Sequence, residues 1–442
     1  MSFLSFGKSD LPRMKGLSSR RSRVISVLDV GSEKISCLIA RLRPRVAGDM
    51  LPDRTHTIEV IGVGHHRSRG IKSGAVVDIA AAEQAIRQCV DAAERMAGLT
   101  VESLIVSVTA GRLKSARNAA AVEVVGEVSA ADISRVTEAA AKLPIDPNRI
   151  ALHSKVFDLS LDGESGLENP EGMSGQHLAA NLHVLTAELA PLRNLEAAIN
   201  RAQLVVEAFV ATPYASALAT MVEDEAAMGS ACIDMGSGAT TIAIFQNGRF
   251  IYADQVAIGG NNITMDLARG LSISPADAER LKVMHGSSLS EFVDDSGEPL
   301  TVPALGDSGE GQPIIIGRSL VTKIIRPRVE ETLELVRDRL HASGLGHVIG
   351  KRVILTGGAS QLAGIADTAR AILQRNVRLG RPLGVTGLNP SNKGPGFATS
   401  VGLLIYPQVA HREYVAQRSI AVQAFGKAME GGRFGSWLRR SL

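Results

Sequence analysis

Ser230-Ala231-Cys232-Ile233-Asp234-Met235-Gly236-Ser237-Gly238-Ala239-Thr240-Thr241 decides the fold of this chain. An apolar run ends in an aspartate, small residues and glycines follow, and a second apolar run, Thr241-Ile242-Ala243-Ile244-Phe245, closes at Asn247-Gly248. The pattern predicts strand, glycine turn and strand, with Asn-Gly as a short hairpin turn beyond them. Such a turn offers bare backbone N–H groups that can wrap an anion. Asp234 at its mouth could hold a hydrated magnesium ion beside a phosphate. Taken alone, the stretch reads more readily as a hairpin whose Asp merely caps the turn.

A second copy shifts the balance. Val24-Ile25-Ser26-Val27-Leu28-Asp29-Val30-Gly31-Ser32-Glu33-Lys34, then Ile35 to Ala40, again reads as strand, Asp-x-Gly-Ser turn and strand. A third glycine turn, Lys351-Arg352-Val353-Ile354-Leu355-Thr356-Gly357-Gly358-Ala359-Ser360, follows a buried-type strand. Glycines there let a flat ring or a phosphate approach the backbone. Two related turns and a third predict two related halves facing one ligand.

The 442 residues suffice for two or more domains with a large core. Apolar residues make up 45% and charged ones 21%, a globular balance, but aromatics only 3%, so Ala, Val, Leu and Ile must build the core. No apolar run reaches the ~18 residues of a membrane span, and the N-terminus lacks the apolar core of a signal peptide. Cys37, Cys89 and Cys232 lie in apolar surroundings without metal spacing and read as buried thiols in a reducing compartment. The net charge of +3 hides +5 on residues 1–23 and +4 on 411–442, which leaves −6 on the body. Basic tails on an acidic body argue against nucleic acid and for an acidic surface.

Along the chain, 1–23 reads as a basic flexible tail, although a transit peptide has similar composition. Residues 24–108 and 189–229 form a first α/β half. Within it the strand Ile58–Gly64 leads to a loop at 70–78. A helix over Ile79–Met96 follows, capped by Asp78 and stopped by Gly98, and then a strand over Val101–Thr109. Residues 109–188 read as an inserted α+β subdomain with a helix over Ala131–Lys142 and strands over Ile150–Leu161 and His177–Leu189. Residues 230–258 and 346–410 form the second half, and 259–345 its helical subdomain. In that subdomain Ser274 caps a helix opening at Pro275. Residues 286–312 form a loop or small hairpin, and a long helix over Ile316–Leu340 carries Pro327 as a possible kink. Residues 411–431 read as a linker. In 432–442, Phe434, Trp437, Leu438 and Leu442 share one helical face, with Arg433, Arg439 and Arg440 beside it. So short a helix needs a partner. An anionic bilayer supplies one, and a tail docked on the body is the rival reading.

The three ordered turns resemble the ATPase superfamily of actin, heat-shock chaperones and sugar kinases. The resemblance implies an actin-like fold, with ATP and Mg2+ held by two phosphate loops and an adenosine loop. The phosphate-loop residues are Asp29, Gly31, Ser32, Glu33 and Lys34, then Asp234, Gly236, Ser237, Gly238, Ala239 and Thr240. Gly357, Gly358, Ala359 and Ser360 form the adenosine loop. Asp29 and Asp234 would hold water and magnesium. Gly259, Gly260 and Asn261 resemble the superfamily's Gly-Gly turn. Glu279 and Lys282, at i and i+3, are similar to its ribose and adenine grip, with a surface ion pair as the rival reading. Superfamily ATPases place a Glu or Gln near the strand-to-helix crossing. Here Val210-Ala211-Thr212-Pro213 stands there, and threonine is a poor base. ATP binding with slow or undetectable hydrolysis is therefore expected.

Together with Asn169-Pro170-Glu171-Gly172-Met173-Ser174-Gly175, Ser274 to Lys282, Leu355 to Ser360 and Ser436-Trp437-Leu438-Arg439, these turns resemble the bacterial cell-division FtsA family over 24–406 and 432–442. Lys34 matches a lysine of that family, with a solvated lysine as the alternative. The resemblance implies a peripheral scaffold on the cytoplasmic side of the inner membrane at the septum. It would tether FtsZ through its C-terminal peptide, self-associate into filaments, and help recruit later division proteins. The partner surface would lie on the helix Thr322–Arg339, with Arg326, Arg328 and Glu331. The alternatives are a pilus-assembly relative without the tail, a sugar kinase, which would need an acidic base, and a chaperone, which would need a β-rich domain after residue 406.

Overall fold

The computed structural model of the protein describes residues 21–45, 54–289, 299–303 and 314–413, with 11, 12, 14 and 16–18. The chain is built from two halves whose central sheets share one strand order. In the first half, β1 (Arg23–Val30) and β2 (Lys34–Pro44) pair antiparallel, Asp29 opposite Ser36, and β3 (His56–Arg67) extends the meander. The segment expected as a loop at 70–78 holds a two-stranded ribbon, β4 (Ile71–Lys72) and β5 (Ala75–Val76). Helix α1 (Ile79–Ala97) follows. The Asp78 side chain accepts from the N–H groups of Ala80 and Ala81, and Gly98 at φ 65° ends the helix. These are the cap and stop expected from sequence. Strand β6 (Ser103–Val108) then joins β1 in parallel.

Next comes the inserted subdomain: β7 (Lys114–Glu123), α2 (Ala130–Ala140), β8 (Arg149–Leu161) and β9 (His177–Glu188). Its sheet runs β7-β9-β8 and has its own core, with Val136, Leu161, Leu178 and Leu182 at the centre. Sequence did not mark β7. Its run of Ala, Asn, Arg and Ser has low strand propensity, and pairing to β9 imposes the strand.

The first half resumes with α3 (Leu189–Arg201), β10 (Val205–Ala211), α4 (Thr212–Thr220) and α5 (Glu223–Met228). The second half opens with β11 (Ser230–Met235), β12 (Thr240–Gln246) and β13 (Arg249–Val256). Asn247 and Gly248 take φ 50° and 71° between β12 and β13, the positive pair that a tight two-residue hairpin needs. Its helical subdomain holds α6 (Gly260–Leu271), α7 (Pro275–His285), the ribbon β14 (Leu300–Val302) with β15 (Ile314–Ile316), and α8 (Arg318–Ala342). Ser274 caps α7 through the Asp277 N–H, and Pro327 lies inside α8. Strand β16 (Arg352–Thr356), α9 (Ile365–Leu373), β17 (Asn376–Leu379) and α10 (Ala398–Val409) complete the chain.

The two sheets run β3-β2-β1-β6-β10 and β13-β12-β11-β16-β17. In each, an antiparallel meander of three strands is followed by two parallel strands, so the duplication read in the turns extends to the whole sheet. Helices α4 and α10 are buried on nearly every face. Such helices belong inside a protein, and these two pack on each other. They cross so closely that a side chain at Gly402 would meet the Ala215 carbonyl at 1.7 Å. The core they join includes Leu28 and Leu38 of the first half and Ile354 and Phe250 of the second.

Two expected boundaries need correction. The basic tail is not wholly free. Arg23 opens β1 and pairs with Glu207, while Leu11, Met14 and Leu17 pack against the first core, because an apolar side chain gains by leaving water whatever its basic neighbours do. The linker does not begin at 411 either. Residues 410–412 form a 3-10 turn, and Glu413 is fixed by hydrogen bonds to His153 and Tyr406. Residues 414–442 lie outside the described residues, and with them the expected membrane face of Phe434, Trp437, Leu438, Arg439, Arg440 and Leu442.

Candidate functional site

The two aspartate turns share one backbone geometry. Gly31 N–H donates to the Lys34 carbonyl at 3.0 Å, and Gly236 N–H donates to the Ala239 carbonyl at 3.0 Å. Both bonds run from the second residue after the aspartate to the fifth. The turns face each other closely, since a Cβ on Gly238 would meet Ser32 Oγ at 2.4 Å. The third turn also closes in, because a Cβ on Gly357 would meet Asp234 Oδ1 at 2.3 Å. Glycine at these positions is what lets three strand ends converge.

They converge on one cleft of ≈ 740 Å³, the size of a site for a nucleotide-sized ligand. Asp29, Gly31, Ser32, Glu33 and Lys34 line it, with Asp234, Gly236, Ser237, Gly238 and Ala239 opposite. Gly260, Glu279, Lys282, Gly357, Gly358 and Ala359 complete its far end. Four expected residues stand behind this lining. Thr240 donates to the Ile258 carbonyl at 2.8 Å, and Ser360 to the Gly357 carbonyl at 2.7 Å. Gly259 packs on Gly236 and Ser237, and the Asn261 N–H donates to the Ser237 carbonyl at 2.8 Å. They shape the turns from the rear.

The carboxylates are deeply engaged. Ser107 donates to Asp29 Oδ1 at 2.7 Å and Ser400 to Oδ2 at 3.4 Å. Burial raises the Asp29 pKa, against the pull of Ser107 and Lys34. Asp234 is 6% exposed and accepts from Thr399 at 3.1 Å. Burial, and then the charge of Asp29, push its pKa up to about 6. Lys34 donates to the Gly396 carbonyl at 3.0 Å and lies 3.4 Å above the Phe397 ring. Burial lowers its pKa, and Asp29 opposes the change. A buried carboxylate whose proton affinity is raised by a second carboxylate nearby makes a site that favours a cation. Among the described residues no cluster of three or more His, Cys, Asp or Glu could enclose a bare metal. Two carboxylates suit a magnesium ion that keeps most of its water.

At the α7 end of the cleft, Lys282 donates to Glu279 at 2.6 Å, to Thr264 at 2.8 Å and to the Gly260 carbonyl at 3.1 Å. The pair therefore braces α7 on α6 and lines the cleft as well. Val283 and Met284, 72% and 66% exposed, extend an apolar wall beside it. At the opposite end Thr212 lines the cleft and meets the Thr109 hydroxyl at 2.7 Å. Thr241 and Thr399 are the other nearby lining hydroxyls.

Sequence reading missed the last wall, Ser391 and Gly394-Pro395-Gly396-Phe397. The signal was present, since Gly-Pro-Gly stands one residue before a largely apolar run. Gly74 lines the cleft too, in a stretch expected only as a loop; its N–H donates to the Ser32 hydroxyl oxygen at 3.0 Å. On the expected partner helix, Arg328 is tied to Asp266 at 2.6 Å and to Glu331, while Arg326 pairs with Glu330 at 2.7 Å.

Comparison with known proteins agrees with this architecture. The family model described as "Cell division protein FtsA" matches residues 231–402, and "SHS2 domain inserted in FTSA" matches 110–186. The chain is similar to "Cell division protein FtsA" of Rhizobium meliloti, 51% identical over 100% of both chains. It is 33% identical to that of Pseudomonas aeruginosa, over 88% of this chain and 90% of the relative. It is 29% identical to that of Escherichia coli, over 95% and 98%. Among solved structures, "PilM-PilN type IV pilus biogenesis complex" matches at TM-score 0.57 and 16% identity, over 87% of this chain and 98% of that one, which is a likeness of fold. With two sheets of one strand order, the inserted subdomain in place and full-length identity of 51%, this chain belongs to the FtsA family of actin-like cell-division proteins.

Proposed function

We propose that the cleft binds ATP with a hydrated magnesium ion, and that the protein is a nucleotide-switched scaffold of cell division. Convergence of Asp29, Asp234 and the three glycine turns on one cleft carries the reading. Asp29 and Asp234 hold the hydrated ion, the paired turns wrap the phosphates, and Lys34 offsets their charge. Glu279 and Lys282 face the ribose and base from α7. Magnesium supplies charge neutralisation when bound. Thr109 and Thr212 cannot act as bases near neutral pH, so turnover is slow and the bound nucleotide instead sets the angle between halves joined by α4 and α10.

In this reading the protein tethers the C-terminal peptide of FtsZ to the cytoplasmic face of the inner membrane, self-associates into filaments and helps recruit later division proteins. Residues 432–442 supply the anionic-lipid contact through Trp437, Leu438 and their neighbours. Arg326, Arg328 and Glu331 lie on the helix assigned to the partner. Arg328 is already neutralised by Asp266 and Glu331, so binding there would exchange one ion pair for another. Magnesium with ATP should raise the melting temperature of the full chain by several degrees, as tight ligands do. The FtsZ C-terminal peptide should retain the chain in a pull-down. A melting temperature insensitive to ATP would remove the nucleotide reading, and no retention by FtsZ would remove the tether.

A further inference from the structure

Behind the cleft lies a buried cluster that nucleotide binding does not use. His153 of β8, in the inserted subdomain, is 1% exposed. Its Nε2 accepts the backbone N–H of Ala211 at 2.9 Å, and its Nδ1 lies 2.7 Å from Glu413 Oε1. A neutral imidazole with its proton on Nδ1 satisfies both partners. The other tautomer satisfies neither, and an imidazolium has no acceptor for Ala211. Glu413 also accepts the Tyr406 hydroxyl at 3.1 Å. Tyr214 and Tyr406 box the ring at centroid distances of 5.1 and 5.9 Å, and Lys155 bonds the Tyr214 hydroxyl.

Ala211 directly precedes Thr212, which lines the cleft and bonds Thr109. A continuous path therefore runs from Glu413, the last described residue before the C-terminal segment, through the His153 ring to the cleft wall. The ring is rigid and tightly boxed, so displacing one of its hydrogen-bond partners disturbs the other.

We infer that His153 is a positioning residue for the cleft, locked in one tautomer by Glu413, so that seating of the C-terminal root sets the placement of Thr212. The inference rests on the nucleotide reading of the cleft. It makes the inserted subdomain and the root of the C-terminal segment part of the binding machinery without either touching the ligand. Around metal sites, supporting hydrogen bonds of this kind typically cost about 10–100-fold in affinity or activity when lost, and the lower end of that range sets the scale here.

The test uses the full chain with three variants, Glu413→Ala, Glu413→Gln and His153→Phe. Calorimetry reads the affinity for ATP with magnesium, and hydrogen exchange reads the Ala211 amide. Glu413→Ala and His153→Phe should each lower affinity by about tenfold and speed exchange at Ala211 by a similar factor. Glu413→Gln should restore both, because its amide carbonyl accepts from Nδ1–H. A folded Glu413→Ala with wild-type affinity overturns the inference. Equal loss in Glu413→Gln overturns it too, since the carboxylate charge rather than the tautomer would then matter. Should Glu413→Ala not fold, Glu413→Asp, with its shorter reach, takes its place with the same expected direction. If the wild-type chain binds no ATP, the nucleotide reading fails and the cleft role falls with it, while unchanged exchange at Ala211 in the variants would refute the clamp itself.

Discussion

The turn after β1 and the turn after β11 close with the same backbone bond, but their carboxylates live in different surroundings. Asp29 has Ser107 and Ser400 as donors and feels the charge of Lys34 from its own turn. Asp234 has Thr399, is nearly sealed from solvent, and has Ala239 at the position that matches Lys34. Burial dominates both shifts, but Lys34 offsets it at Asp29, whereas at Asp234 the charge of Asp29 adds to it. Duplication thus kept the backbone and discarded the symmetry of charge. The first turn carries its own counter-ion, whereas the second has none among its own residues.

Three experiments test that contrast. The largest effect is expected from Asp234→Asn, which should weaken binding of ATP with magnesium by about 100-fold, the upper range for a lost charged interaction. Asp29→Asn should cost only about tenfold. Equal losses, read by calorimetry, would mean that the two turns do not differ in dependence on the ion.

Next in size is Lys34→Met, which makes the first turn resemble the second. Nucleotide affinity should fall by about tenfold, and the magnesium concentration needed for binding should rise. A magnesium titration of the variant checks this, and an unchanged requirement would show that Lys34 serves only its contacts with Gly396 and Phe397.

The smallest effect is on stability without ligand. The folded-state pKa of Asp234 is raised to about 6 from 3.8. The folded protein therefore binds a proton that the unfolded chain has released, and stability falls as pH rises between those values. Asn at 234 removes the buried charge. Asp234→Asn should then melt about 2–4 °C above wild type at pH 7.5, and the gap should close as the pH falls from about 6 towards 4. A gap that widens on acidification would reverse the assigned sign.

How much of this was legible beforehand follows a physical line. Asp78 and Gly98 fix the ends of α1, Ser274 and Pro275 open α7, and Asn247-Gly248 turns between β12 and β13. Each depends on atoms within a few residues, so the amino-acid types alone carry the instruction. The repeated Asp-x-Gly-Ser turns are local in the same sense, which is why the actin-like architecture and most of the cleft lining were readable. Gly394-Pro395-Gly396 was equally local and was simply overlooked.

Other features depended on contacts no short window contains. Strand β7 has a composition that disfavours a strand and exists because β9 lies beside it. Leu11, Met14 and Leu17 joined a core despite the basic residues around them. Lys34 meets Gly396, Asp29 meets Ser400, and His153 meets Glu413 across hundreds of residues. Local chemistry along the chain was enough for the turns, the caps, the duplicated halves and the family. The completed fold alone settled which hydroxyls satisfy each carboxylate, that the charge of Asp29 adds to the burial of Asp234, and that Glu413 connects to the cleft wall through the His153 ring. The reason is range: turns and caps are satisfied by neighbours in sequence, whereas burial and charge compensation are set by whatever the completed fold brings alongside.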